Sequence, residues 1–206
     1  MTKRGRLIVF EGADEVGKTT LAAATTASLR QQGADVISLA FPGAEPGTLG
    51  AHIYQLHHTP KAFGVETLSP ESIQLLHIAS HLDSLRRTIL PALQEGKTVV
   101  MDRFWWSTMV YGIVAGADPA TLEKMISIEK ARWGKVLPEV VILVKRSGPL
   151  KPVENLPEWH WIQKEYAALA KHENGRHEVV TISNEGDLST AIHCVEFALG
   201  LSLIHI

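Results

Sequence analysis

The chain has 206 residues, 45% of them hydrophobic and 20% charged, with 20 Lys and Arg against 22 Asp and Glu for a formal charge of -2. That is enough for one α/β domain with a sizeable core and too little for two comfortable ones. The near-balanced charge argues against a nucleic-acid polymer as partner. The single cysteine, Cys194, excludes a disulfide framework and a cysteine metal site and fits a reducing, cytoplasmic setting. No apolar run is long enough to span a bilayer, so no membrane partner is expected.

The first element is Leu7–Glu11, an apolar run after a basic start, MTKRGR. It ends in Glu11 rather than a small-residue cleavage site, so it reads as a buried strand and not a signal peptide. A glycine-containing loop follows, then a helix over Lys18–Gln32 that stops at Gly33. Val36–Phe41 reads as the second strand, and Phe41–Gly50 as an irregular segment. Pro70–Gln94 is apolar at helical spacing, with Pro91 near its last turn as a candidate kink. Thr98–Asp102 is the third strand, followed by helices over Trp105–Val114 and Pro119–Trp133. Val140–Val144 is the fourth strand, and Arg146–Pro157 is a second irregular segment. A helix over Glu158–His172, a strand over Val179–Ile182 and a helix over Leu188–Leu199 complete the chain.

The five strands are rich in Val and Ile and do not alternate, which predicts burial on both faces. Strands alternating with helices imply right-handed crossovers: a doubly wound α/β fold, five parallel strands covered by helices on both faces. One domain is expected over residues 1–200. The tail LSLIHI, 201–206, reads as non-native sequence at a fragment edge, or as a natural apolar tail packing on the domain.

Gly12-Ala13-Asp14-Glu15-Val16-Gly17-Lys18-Thr19 fits G-x-x-x-x-G-K-[ST]. Residue frequencies alone produce such a match in ~1% of chains this long. The context it requires, a strand before and a helix after, is also predicted. Glycines let consecutive N–H groups turn inward as an anion nest, and the helix N-terminus adds its positive end. The pattern implies a phosphate cradle, or P-loop, with Lys18 reaching the β- and γ-phosphates of ATP and the Thr19 hydroxyl on Mg²⁺.

With FEGADEVGKTT (10–20), FPGAEPGTLG (41–50), LLHIASHLDSLRRTILPALQEGKTVVMDRF (75–104) and DRFWWSTMVYG (102–112), the chain resembles the thymidylate kinase family from about Leu7 to Leu199. The resemblance implies transfer of the ATP γ-phosphoryl group to a deoxynucleoside monophosphate, with Mg²⁺, in a homodimer. It implies that Gly12, Ala13, Glu15, Val16, Gly17, Lys18, Thr19 and Thr20 line the nucleotide phosphates, and that Asn184, within Thr181–Glu185, passes near the adenine. Asp14 would approach the sugar or a phosphate-side water. Arg103 would hold the acceptor phosphate, a task suited to a planar cation. Asp102 would steer Arg103 and the metal-bound waters. Tyr111 would sit against the sugar, Ser107 beside the base, and Phe41 and Pro42 in the acceptor site. Asp102 with Arg103 also reads as a structural ion pair, and Tyr111 with Trp105 and Trp106 as core.

The departures cluster at the acceptor. Where the family has a phosphate-gripping arginine, this chain has Ala44. Where the family stacks a phenylalanine on the pyrimidine and sets an arginine four residues on, the resemblance places His77 and His81. Their i, i+4 spacing suits base contacts, metal ligation or two ordinary histidines. His57 and His58 read as a solvated loop end. The lid, about 146–157, is short, and Arg146, helped by Lys151, is the candidate for the family's lid arginine. Arg86 and Arg87 read as a solvated helix face, with substitution for the acceptor arginine as the other reading. The expected acceptor is dTMP or a related deoxypyrimidine monophosphate. The alternatives are a kinase for a deoxynucleoside or other small acceptor, and a nucleotide-binding protein with little turnover.

Overall fold

A computed structural model describes residues 5–43 and 45–201. Ala44 and the tail residues 202–206 lie outside the described residues.

The described residues form a five-stranded parallel sheet in the order β2-β3-β1-β4-β5. The strands are β1 (Leu7–Glu11), β2 (Val36–Ala40), β3 (Thr98–Asp102), β4 (Val140–Lys145) and β5 (Glu178–Ser183). In register, Phe10 pairs with Asp102 on one side of β1 and Glu11 with Leu143 on the other. Burial on both faces holds for β1, β3 and β4, whose residues are almost all buried. It fails for β2 and β5, which mix buried and exposed positions because they are the sheet edges.

The helices are α1 (Lys18–Gln31), α2 (Leu49–His58), α3 (Pro70–Ser84), α4 (Leu90–Gln94), α5 (Trp105–Val114), α6 (Pro119–Trp133), α7 (Leu156–Glu173) and α8 (Leu188–Ala198). Side-chain caps start several of them: Thr48 accepts from Ala51 N, Ser69 from Ser72 N, Asp118 from Thr121 N and Asn155 from Glu158 N. The expected single helix over 70–94 is instead interrupted by a π-turn at Leu85–Ile89. Pro91 has no N–H for the carbonyl four residues before it, and the ladder shifts register just upstream of that gap. Helix α2 is a correction as well. Its sequence presents only Gly50 and Ile53 to the core, too narrow an apolar stripe to stand out beside the Gly- and Pro-rich segment before it.

Trp105 and Trp106 belong to the core at 4% and 0% exposure, whereas Tyr111 is only half-buried. Arg86 and Arg87 are exposed, and Arg87 pairs with Asp83 on its own helix face, so the solvated reading holds for them. All five strands run in one direction, so Glu11, Phe41, Asp102, Lys145 and Ser183 gather at or just beyond one edge of the sheet. Ligands of open α/β sheets sit outside that carboxyl edge.

Candidate active site

The glycine loop joins the central strand β1 to α1. Gly12 has φ +142°, and a Cβ there would stand 2.4 Å from the Val144 carbonyl oxygen. Gly17 has φ +93°, caps α1 without a side chain, and leaves no room for a Cβ beside the Asn184 amide. The N-terminus of α1 is therefore bare of side-chain caps and acidic groups, as an anion site requires. Glu15 also has positive φ, 59°, and its carbonyl accepts from Leu150 N at 2.8 Å. Asn184 donates from its amide to the Val16 carbonyl at 2.8 Å, tying the end of β5 to the loop. Thr19 and Thr20 are exposed in the first turn of α1.

Lys18 is 5% exposed, and its Nζ donates to the Ala13 carbonyl at 2.6 Å. Burial, and then repulsion from Arg103, lower its pKa to about 8 against the pull of Asp14, Asp102 and Glu11. A bound polyanion would favour the charged form again. Thr19 Oγ1 donates to Asp102 Oδ2 at 2.5 Å. Asp102 Oδ1 is buried with no hydrogen-bond partner among the described residues, an acceptor suited to a hard cation or its water. No cluster of three or more His, Cys, Asp or Glu among the described residues could hold a metal by itself. A divalent ion at Thr19 and Asp102 would take its remaining oxygens from phosphate and water, which is the habit of Mg²⁺.

Arg103 follows β3 with φ +76°, a left-handed conformation that costs a non-glycine residue about 1–3 kcal/mol. The turn aims its guanidinium at the loop: Nη2 donates to Asp14 Oδ1, and Nη1 to Ser107 Oγ at 3.1 Å. The charge also lies over the Tyr111 ring, 5.1 Å from its centroid. Tyr111 in turn donates to Asp14 Oδ2 at 2.8 Å. Burial works against ionisation of Asp14, but Arg103, Lys18 and Tyr111 outweigh it and lower its pKa. The alternative reading of Asp102 and Arg103 as a structural ion pair fails, and among the described residues Asp102 makes no hydrogen bond that would steer Arg103: Arg103 pairs with Asp14, while Asp102 accepts from Thr19.

Residues the sequence reading left out organise this arrangement. Glu11, fully buried, accepts from Phe104 N at 2.7 Å and Ser107 N at 3.2 Å, so it caps α5 from a different strand. It also accepts from Ser107 Oγ at 2.8 Å, and that hydroxyl is shared with Tyr166 at 2.7 Å. Trp159 Nε1 donates to the Asp14 carbonyl at 2.6 Å. Glu11 carried a signal, since a carboxylate closing an apolar strand must find donors. Trp159 and Tyr166 carried none.

Burial raises the Glu11 pKa to about 7, against the lowering pull of Arg103, Ser107 and the Phe104 amide. Between pH 4.5 and about 7 the native state holds a proton that the unfolded chain has released. Stability therefore falls as pH rises through that window, by about 3 kcal/mol. Glu11→Gln is expected to remove this slope, read as urea midpoints at pH 5 and pH 7.5. A variant with the wild-type slope would show that Glu11 does not carry it.

Ser107, Arg103, Asp14 and Tyr111 border a cavity of about 410 Å³ that extends past Phe41 and Pro42 to Gln74, His77 and His81. This is small-molecule size. His57 and His58, expected as a solvated loop end, close α2 and line the same cavity, and His77 Nε2 lies 3.2 Å from His57 Nδ1. Burial, and then the neighbouring His81, His57 and Arg103, push the His77 pKa down to about 3, so its ring is neutral near pH 7. Arg146 is placed differently from a free lid arginine. Its guanidinium donates to the carbonyls of Gly148 and Asn184, beside the Val16–Gly17 end of the loop. Lys151 is exposed.

A parallel sheet with a bare helix N-terminus and a buried lysine at its central glycine loop defines the P-loop class of nucleotide-binding α/β proteins. The thymidylate kinase family model matches residues 10–185, and the chain belongs to the thymidylate kinase family. It is 39% identical over 129 residues to thymidylate kinase of Dinoroseobacter shibae, covering 62% of this chain and 60% of that one. It is 36% identical over 150 residues to thymidylate kinase of Chlorobium chlorochromatii, covering 73% and 62%. The chain thus spans less than two thirds of the length of these two relatives. The crystal structure of thymidylate kinase from Ehrlichia chaffeensis has the same fold, with a TM-score of 0.76 at 20% identity over 95% of this chain and 99% of that one. Among the described residues no helix is long and apolar enough to cross a membrane.

Proposed function

We propose that the chain transfers the γ-phosphoryl group of ATP to a deoxypyrimidine nucleoside monophosphate, dTMP or a close relative, giving the diphosphate. The observation that carries this reading is the contact of Arg103 with Asp14, which brings the mouth of the 410 Å³ cavity to the lip of the glycine loop. Donor and acceptor phosphates would meet there. Residues 1–200 act as one kinase domain, with 146–157 as its lid.

In this reading the backbone N–H groups from Ala13 to Thr20 hold the donor phosphates, and Lys18 leaves the Ala13 carbonyl to neutralise the β,γ end. Mg²⁺, when bound at Thr19 and Asp102, screens the charge on those phosphates. Arg103 exchanges Asp14 for the acceptor phosphate, and Asp14 with Tyr111 turns to the sugar. Arg146 and Asn184 border the base end of ATP, and Arg146 serves a phosphate only by giving up its two carbonyls. The implied homodimer needs an apolar helical face, and Leu75 on α3 and Ile128 on α6 are 47% and 53% exposed.

The test is incubation with ATP, Mg²⁺ and a panel of nucleosides and nucleoside monophosphates, with products separated by chromatography. A pyrimidine deoxynucleoside monophosphate is expected to yield diphosphate. A panel in which only nucleosides react, or nothing does, rejects the proposal.

A further inference from the structure

Helical spacing pairs His77 with His81, but the fold gives each a different neighbour. His81 is 3% exposed, stacks on Phe41 with centroids 3.9 Å apart, and sets its Nδ1 2.9 Å from Glu129 Oε2 on α6. His77 meets a residue of α2 instead. Its Nε2 lies 3.2 Å from His57 Nδ1, and the two rings stand edge to face with centroids 5.1 Å apart and planes at 66°. His77 Nδ1 is buried with no partner among the described residues, so Nε2 is the nitrogen through which this ring acts.

A separation of 3.2 Å serves a hydrogen bond between two neutral rings. It also lies close to the edge of a coordination tetrahedron, since two nitrogens roughly 2.0–2.1 Å from one Zn²⁺ stand about 3.3–3.4 Å apart. Burial and its neighbours keep His77 neutral near pH 7, the state in which imidazole binds a metal. His57 stands in the last turn of α2, where the negative end of the helix favours a cation. His58 is drawn away from the pair: its Nδ1 lies 2.8 Å from the Tyr54 carbonyl oxygen and its ring stacks on the Tyr54 ring at 4.0 Å. Both His57 and His77 line the 410 Å³ cavity, so water or a solute can fill the remaining positions around an ion. Two protein nitrogens make an open site rather than a closed one, in keeping with the lack of a three-residue cluster among the described residues.

We propose that His57 and His77 bind a nitrogen-seeking divalent ion of the Zn²⁺ class, and that the bound ion obstructs the cavity. The obstruction rests on the cavity being the acceptor site; the ion site does not. Mg²⁺ at Thr19 and Asp102 does not compete for this pair, because Mg²⁺ takes oxygen ligands and imidazole suits Zn²⁺, Cu²⁺ and Ni²⁺. Free zinc would then withhold the acceptor, and a chelator would restore it.

The experiment titrates ZnCl₂ into the ligand-free chain by calorimetry, in buffer without phosphate. Wild type is expected to bind one Zn²⁺, and His57→Ala and His77→Ala to bind it at least about tenfold more weakly. His57 is exposed, so its loss leaves the fold intact. Wild type that binds no zinc, or variants that match it, overturn the ion site. An equal loss in His58→Ala would assign the ion to the histidines of α2 and also overturn it. A second titration measures dTMP affinity with and without saturating Zn²⁺. It is expected to fall at least about tenfold in wild type and to hold within about twofold in His57→Ala, as reciprocal coupling between two ligands requires. A wild-type affinity that zinc does not change overturns the obstruction. Wild type that binds no dTMP at all overturns the acceptor reading, while the zinc titration still decides the ion site.

Discussion

Lys18→Met is expected to reduce kcat/KM for phosphoryl transfer by about 10³-fold or more while making the folded protein more stable at pH 7. The two effects have one cause. The Lys18 ammonium is buried against the Ala13 carbonyl with Asp14 Oδ1 4.0 Å away, and burial and the Arg103 cation outweigh the pull of Asp14, Asp102 and Glu11. A preorganised charge in a desolvated site acts strongly on the charge that develops during transfer, and removing one such donor costs ~10²–10³ in rate. In the proposed reading the same lysine also holds the triphosphate, so the loss is expected to extend to ATP binding. Holding that charge without a ligand is unfavourable, which is why the pKa sits near 8 rather than 10.5. Between those values the unfolded chain binds more protons than the native one, so stability rises with pH there, and at pH 7 the full penalty stands. Methionine keeps the apolar stem and removes the penalty, a gain on the order of 1–3 kcal/mol. A coupled kinase assay and urea midpoints at pH 7 read the two effects. A variant keeping a tenth of wild-type turnover, or one less stable than wild type, would show that Lys18 does not play this part.

Arg103→Ala is expected to lower kcat/KM for the acceptor by about 10³-fold while changing ATP affinity by no more than a few-fold. An arginine that stabilises a transferring phosphoryl group is worth ~10³–10⁵ in rate. Among the described residues Arg103 is the only Arg or Lys lining the 410 Å³ cavity, and its guanidinium joins the glycine loop, through Asp14, to that cavity, through Ser107. Arg103→Lys is expected to recover little. An ammonium is a single point charge and cannot span Asp14 and Ser107 as the planar fork does. Initial rates at varied acceptor and varied ATP separate the two substrates. A loss that falls equally on ATP affinity would move Arg103 from the acceptor to the loop, and undiminished acceptor kinetics would remove it from the site.

Much of this was legible in the residue order. Val- and Ile-rich runs bounded by Gly and Pro mark strands well because a central parallel strand has no polar face to disguise it. All five were located to within a residue or two at each end. The P-loop was legible because its requirement is local: two glycines, a lysine and a hydroxyl at fixed spacing between a strand and a helix. Asp102 and Arg103 were visible as a pair at a strand end. Their partners were not, and the structure separates them, one to Thr19 and the other to Asp14. The histidines show the limit more sharply. His77 and His81 could be placed on one helix face. That His81 leans on Glu129, 48 residues away, depends on how α3 packs against α6.

By itself, then, the sequence determined which groups stand at the carboxyl end of the sheet: the glycine loop, the lysine, the arginine after β3. These follow from backbone conformation and from periods of a few residues. The tertiary structure alone decided which side chains share their protons and charges. It set Glu11 beneath the N-terminus of α5, Trp159 against the Asp14 carbonyl, and Glu129 against His81. The physical reason is that a buried polar group has to find its partner through space. Where that partner stands along the chain is set by helix packing on the sheet, which no local pattern of residues records.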